Sequence, residues 1–139
     1  MNFKKYIGIS YKHRGRDFSG CDCYGLFSLI YMEERNIVLP DFLIIDYDLD
    51  WYKKGKACIN EGLDQIIGDW KVIKTPDLFD AVLLYNLEYP TIVSHIGMCI
   101  GDNKIIHVTE NETSRVDRLS GLIGKKVYKS LRYVGDVDG

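Results

Sequence analysis

The sequence predicts an α+β domain in which N-terminal helices pack on a C-terminal antiparallel β-sheet. In the first half of the chain, apolar residues recur at helical spacing. In the second half, runs of β-branched and aromatic residues are bounded by Gly, Asn, Asp or Pro. Helices first and strands second is the order of an antiparallel α+β architecture rather than of alternating βαβ units. The 139 residues, 46% hydrophobic and 27% charged, suit one domain with a real core, so residues 1–139 are expected to form a single unit.

Taken in order, residues 1–11 hold a short apolar segment ending at Tyr11, and residues 12–20 a turn-rich basic loop. Asp22 is placed to cap a helix running to about residue 36. Leu26, Phe27, Ile30 and Tyr31 form its apolar stripe, and Pro40 lies beyond its end. The acidic run Asp46-Tyr47-Asp48-Leu49-Asp50 opens like a calcium loop but has Trp51 where glycine is needed and Ala57 where glutamate is needed. It is read as a solvated helix start. A second helix is expected over 51–67, burying Trp51, Ile59, Leu63, Ile66 and Ile67. Strands are expected over 70–73, 81–85, 92–100, 104–109 and 126–134. A turn is expected at Pro76-Asp77-Leu78 and a hairpin turn at Gly101-Asp102-Asn103. No internal repeat or low-complexity tract is present.

The net charge of −2, with no basic cluster interleaved with aromatics, points away from a nucleic-acid partner. No apolar run is long enough for a signal peptide or to span a bilayer, so no membrane association is expected. The expectation is a protein made and kept in the cytoplasm unless assembly or lysis carries it out. In that setting the four cysteines at 21, 23, 58 and 99 are read as free thiols, with Cys58 and Cys99 in the core.

Cys23 opens the first helix. The positive end of the helix dipole and the unpaired backbone N–H groups there favour thiolate over thiol, which is how a nucleophile is made. The competing reading is a cysteine that simply packs. A nucleophilic thiol needs a base, and the sequence offers His13, His95 and His107. His95 and His107 flank the predicted hairpin, so one can act as base and the other fix its tautomer, although a strand histidine can also be purely structural. A two-residue turn would put the two rings on opposite faces, whereas an odd loop or a bulge puts them on one face. The shared face is expected. His13, Arg14 and Arg16 either meet a substrate carboxylate or form a solvated basic loop. Cys21, Cys23, His95 and His107 are also ligand types that zinc prefers, but Cys-x-Cys is not a zinc-finger spacing.

Together these residues resemble the NlpC-type cysteine peptidases of the bacterial cell wall. The resemblance is carried by Tyr11, Asp22-Cys23-Tyr24-Gly25-Leu26, His95-Ile96-Gly97-Met98-Cys99-Ile100-Gly101 and His107, with Asp80 ahead of an apolar strand. It implies a papain-like fold and hydrolysis of peptidoglycan stem peptides at the bond between D-glutamate and diaminopimelate or lysine, without cofactor or metal. Cys23 would be the nucleophile, His95 the general base, His107 the orienting member and Tyr11 a contributor to the oxyanion site. Asp22, Tyr24 and Arg14 are the expected substrate contacts. The run from Gly15 to Leu26 is especially similar to versions carried in phage tail gene clusters, which adds tail proteins as expected partners and a virion tail as an expected location. Two departures stand out. Tyr24 replaces the usual serine after the cysteine, and the glycine pair of the loop is reduced to Gly15 and Gly20. A tail-assembly protein that keeps the fold without turnover, and a zinc-binding module, are the alternatives.

Overall fold

The computed structural model describes residues 2–39, 70–85 and 93–135. The acidic run at 46–50 and the helix expected over 51–67 lie outside the described residues.

The helix α1 (Cys23–Arg35) starts and stops where its sequence dictates. Asp22 is extended, and its side chain accepts the Gly25 N–H at 2.8 Å, filling one of the donors a helix start leaves unpaired. Asn36 turns left-handed at φ 55°, and its N–H bonds back to the Met32 carbonyl. The predicted stripe of Leu26, Phe27, Ile30 and Tyr31 is buried.

Two short strands, β1 (Arg16–Asp17) and β2 (Gly20–Cys21), form a small hairpin inside the segment expected to be only a loop. The main sheet contains β3 (Trp70–Ile73), β4 (Ala81–Tyr85), β5 (Val93–Cys99), β6 (Lys104–His107), β7 (Arg115–Arg118) and β8 (Val127–Tyr133). Their order is β3-β8-β4-β5-β6-β7, and every neighbouring pair is antiparallel. The predicted α+β class with a C-terminal antiparallel sheet is thus observed, with one α-helix among the described residues.

Strand β7 is absent from the sequence expectation. Three of its four residues are charged, so it carries no apolar alternation, and it forms because it pairs along β6 at the edge of the sheet.

Both faces of the sheet are covered, which explains the uninterrupted apolar run Ala81-Val82-Leu83-Leu84 in β4. Ala81, Leu83, Ile96, Met98, Ile106 and Leu131 join the core against α1. Val82, Leu84, Cys99 and Ile105 pack on the opposite face with Leu119, Ile123 and Val127. At the β3 edge, Trp70 meets Phe27, Tyr31 and Tyr133, with the Tyr133 ring at 5.3 Å and nearly perpendicular. Buried Asp80 takes a two-pronged contact from Arg132 at 2.8 and 3.0 Å and accepts the Asp77 N–H, fixing the turn ahead of β4. Among the described residues, no helix is long and apolar enough to cross a membrane.

Candidate active site

The loop before α1 is knitted together by one buried carboxylate. Asp22 accepts the Gly25 N–H at 2.8 Å, the Arg14 N–H at 3.1 Å and Nη1 of Arg16 at 2.8 Å. Its own N–H bonds the Gly15 carbonyl. That carbonyl presses so closely on α1 that a Cβ at Gly25 would lie 1.9 Å from the Gly15 oxygen. Glycine at 25 is therefore a packing requirement for holding Cys23 at the helix start.

Tyr11 runs beside Cys21 in a parallel bridge, with the Lys12 N–H on the Cys21 carbonyl and the Cys21 N–H on the Ser10 carbonyl. The tyrosine is thereby held near the thiol's loop, partly buried against the main core.

Cys23 is half-buried, and the helix start does not make it a resting thiolate. Burial first, then the Asp22 carboxylate, push its thiol up to about 12, while the backbone N–H groups of Ile96 and Tyr24 and the charge of Arg16 pull the other way. Burial is the largest influence on this thiol, so its proton must be taken by a base, as the pairing with His95 expects. The contact with the Ile96 N–H also brings the sulfur to β5 one residue from His95.

The histidines share one face. The loop between Ile100 and Lys104 holds three residues, Gly101-Asp102-Asn103, closed by the Ile100 N–H on the Lys104 carbonyl and the Lys104 N–H on the Gly101 carbonyl. The resulting register pairs Met98 with Ile106 and Cys99 with Ile105. Continued one step, it sets His107 opposite Gly97, on the face that carries His95. A Cβ at Gly97 would sit 3.5 Å from the His107 Cβ, so the missing side chain leaves room for the two rings to meet diagonally. They do so with Nε2 of His95 2.7 Å from Nδ1 of His107. Burial, followed by the proximity of His107, Arg115 and Lys126, pushes the His95 pKa down to about 3. Burial also lowers that of His107, opposed by Asp117.

Asp117 is the member of this cluster that sequence reasoning missed. Its Oδ2 lies 2.7 Å from Nε2 of His107 and accepts Nε of Arg115 at 3.0 Å. The bond from His107 holds the Asp117 carboxyl below its usual range. In the ladder His107 pairs with Arg115 and Ile105 with Asp117, so Asp117 and His107 are diagonal neighbours on one face. The signal available in the sequence was the Arg-x-Asp alternation at 115–117, legible only once β7 is known to pair with β6.

Two of the expected substrate contacts carry structural bonds. Asp22 is the buried cap just described. Tyr24 is buried, its ring stacked at 6.5 Å on Phe27 with the Arg16 guanidinium 5.6 Å above it. Arg14 and His13 are partly exposed on the loop. Cys21 and Cys99 are buried free thiols, and Cys21 turns its Sγ onto the Asp17 carbonyl at 3.0 Å. Cys58 lies outside the described residues. Among the described residues, no group of three or more His, Cys, Asp or Glu side chains could hold a metal ion. The paired ring nitrogens of His95 and His107 face each other and Asp117 rather than a common centre.

No family model matches the sequence, and no curated protein matches it. Solved structures do. The NlpC/P60 domain of the peptidoglycan hydrolase SagA superposes with a TM-score of 0.62 at 17% identity, over 93% of this chain and 91% of that one. An NLP/P60-family protein from Staphylococcus aureus, described as similar to lipoprotein, gives 0.61 at 18% identity over 94% of this chain. NlpC2 from Trichomonas vaginalis gives 0.62 at 19% identity, also over 94%. This chain spans 38% and 44% of the length of those last two proteins. The chain thus has the fold of NlpC/P60 domains, as the motifs around Cys23 and His95 implied.

Proposed function

We propose that this protein is a cysteine peptidase of the NlpC/P60 kind that hydrolyses peptidoglycan stem peptides. The observation that carries the reading is a half-buried thiol at the start of α1, set against β5 one residue from His95, whose ring is bonded to a second histidine. A domain of the same fold occurs in the peptidoglycan hydrolase SagA, which supports the substrate class.

In this reading neutral His95 takes the proton of Cys23 as the sulfur attacks the amide carbonyl, so the nucleophile is generated in the reaction rather than stored as a thiolate. Backbone N–H groups at the helix start, with the Tyr11 hydroxyl, stabilise the oxyanion. His95, now protonated, gives its proton to the leaving amine, and water then hydrolyses the thioester. His107 holds the base in place. Arg14 pairs with a carboxylate of the stem peptide. The scissile bond we propose joins D-glutamate to diaminopimelate or lysine, and the setting is a phage or prophage tail that delivers the enzyme to the wall.

Incubation with defined muropeptides, followed by mass spectrometry of the products, tests the reading. Wild type is expected to release the dipeptide-containing fragment, and Cys23→Ala to lose at least about a thousandfold in rate. Equal turnover by the variant, or no fragment from wild type, overturns it.

A further inference from the structure

The contacts around the histidines determine more than their proximity. An ionised carboxylate only accepts hydrogen bonds, so the 2.7 Å contact between Asp117 Oδ2 and His107 requires a proton on Nε2 of His107. Burial disfavours a second proton on that ring, so Nδ1 of His107 carries a lone pair. The 2.7 Å contact at that nitrogen is then a donation from Nε2–H of His95. A neutral His95 with its proton on Nε2 has its lone pair on Nδ1. Each contact fixes the next, and the sequence of constraints begins at Asp117.

We propose that Asp117, held by Arg115, is a positioning residue that sets both histidines in the Nε2–H tautomer and thereby leaves Nδ1 of His95 as the base. Arg115 fixes the carboxylate from the same strand, donating Nε to Asp117 at 3.0 Å and Nη1 to Thr109 at 3.1 Å. No proton moves along the series. One proton leaves Sγ of Cys23 and arrives on Nδ1 of His95, giving thiolate and imidazolium. The imidazolium remains bonded through Nε2–H to the His107 lone pair. Without the carboxylate, His107 can carry its proton on Nδ1, which would face the Nε2–H of His95. Relief of that clash moves the His95 proton to Nδ1 and removes the base. The proposal deepens the peptidase reading and rests on His95 being the partner of Cys23.

Two-bond 15N–1H correlation spectra of the full chain with labelled histidine test it without any substrate. Wild type is expected to show both His95 and His107 as Nε2–H tautomers. A wild-type His95 protonated on Nδ1 overturns the proposal whatever any variant does. Asp117→Ala and Asp117→Leu, which leave no acceptor for the His107 Nε2–H, are expected to shift both rings toward Nδ1–H. They are also expected to slow iodoacetamide alkylation at Cys23, located by mass spectrometry, at least tenfold at pH 7, with Asp117→Glu restoring part of the rate. Unchanged tautomers and unchanged alkylation in the folded variants overturn it as well. Failure of wild type to cleave muropeptides would sink the peptidase reading while leaving these spectra to decide the tautomer claim separately.

Discussion

The two sides of the candidate site are built by opposite means. The thiol side is local: Cys23 is placed by residues between Ser10 and Gly25, with Asp22 bonding three of its neighbours and Gly15 pressed against Gly25. The histidine side is assembled at a distance, by the loop at 101–103 that sets the β5–β6 register and by the β6–β7 pairing that brings in Asp117. A local device tolerates little change because backbone meets backbone. A register device tolerates side-chain adjustment as long as the strands stay paired.

The largest effect that this contrast predicts is for Gly25→Ala. The new Cβ would lie 1.9 Å from the Gly15 carbonyl oxygen and 3.1 Å from Oδ1 of Asp22, and neither belongs to a flexible side-chain end that can swing away. Helix propensity favours alanine by about 1 kcal/mol, but the forced backbone shift outweighs it. A net loss of about 3 kcal/mol or more is expected in urea unfolding. A loss below about 1 kcal/mol would mean that the loop yields, and that the thiol side is not rigid.

An intermediate effect is expected from pH, and it belongs to the histidine side. In the unfolded chain histidine titrates near 6.5, whereas folded His95 is held down to about 3 and His107 is lowered as well. Between these values the unfolded state binds protons that the folded state refuses. Stability is therefore fully present above pH 6.5 and falls as pH drops toward 3, by at most about 1.4 kcal/mol per pH unit for each histidine. Asp117, also lowered, adds a loss of the same sign only below the ordinary carboxylate range, so the interval from pH 6.5 to 5 isolates the histidines. Urea midpoints across that interval should fall, and His95→Asn should flatten the dependence. A midpoint independent of pH there would show that the rings take up protons without cost in the folded protein.

The same contrast governs how much of the molecule could be read from the sequence. Helix α1 was legible because its cap Asp22, its stripe from Leu26 to Tyr31 and its stop near Asn36 are local signals. Strands β3 and β4 were legible as compact runs of apolar and β-branched residues. The meeting of His95 and His107 on one face could be expected from an odd loop, since residue parity decides the face. Strand β7 was not legible, because Arg115 and Asp117 are there for what they bond and not for what they bury. The neutral resting state of Cys23 was also hidden. The sequence displays the helix start that would lower the thiol, but the burial that raises it comes from the packing of α1 on β5.

The smallest effect is expected for Gly97→Ala, which matches the first substitution in chemistry and differs only in its side of the site. Here the added Cβ would lie 3.1 Å from the Cδ1 end of Ile105 and 3.5 Å from the Cβ of His107. The Ile105 methyl can rotate by a few tenths of an ångström. Alanine also loses less conformational freedom on folding than glycine in a strand, a gain of about 0.5–1 kcal/mol that offsets the crowding. The net change in urea unfolding is therefore expected within about 1 kcal/mol of zero. The His95–His107 contact should persist, because register and not close packing brings the rings together. A loss as large as that of Gly25→Ala would erase the distinction between the two sides and make Gly97 a packing requirement of the same kind.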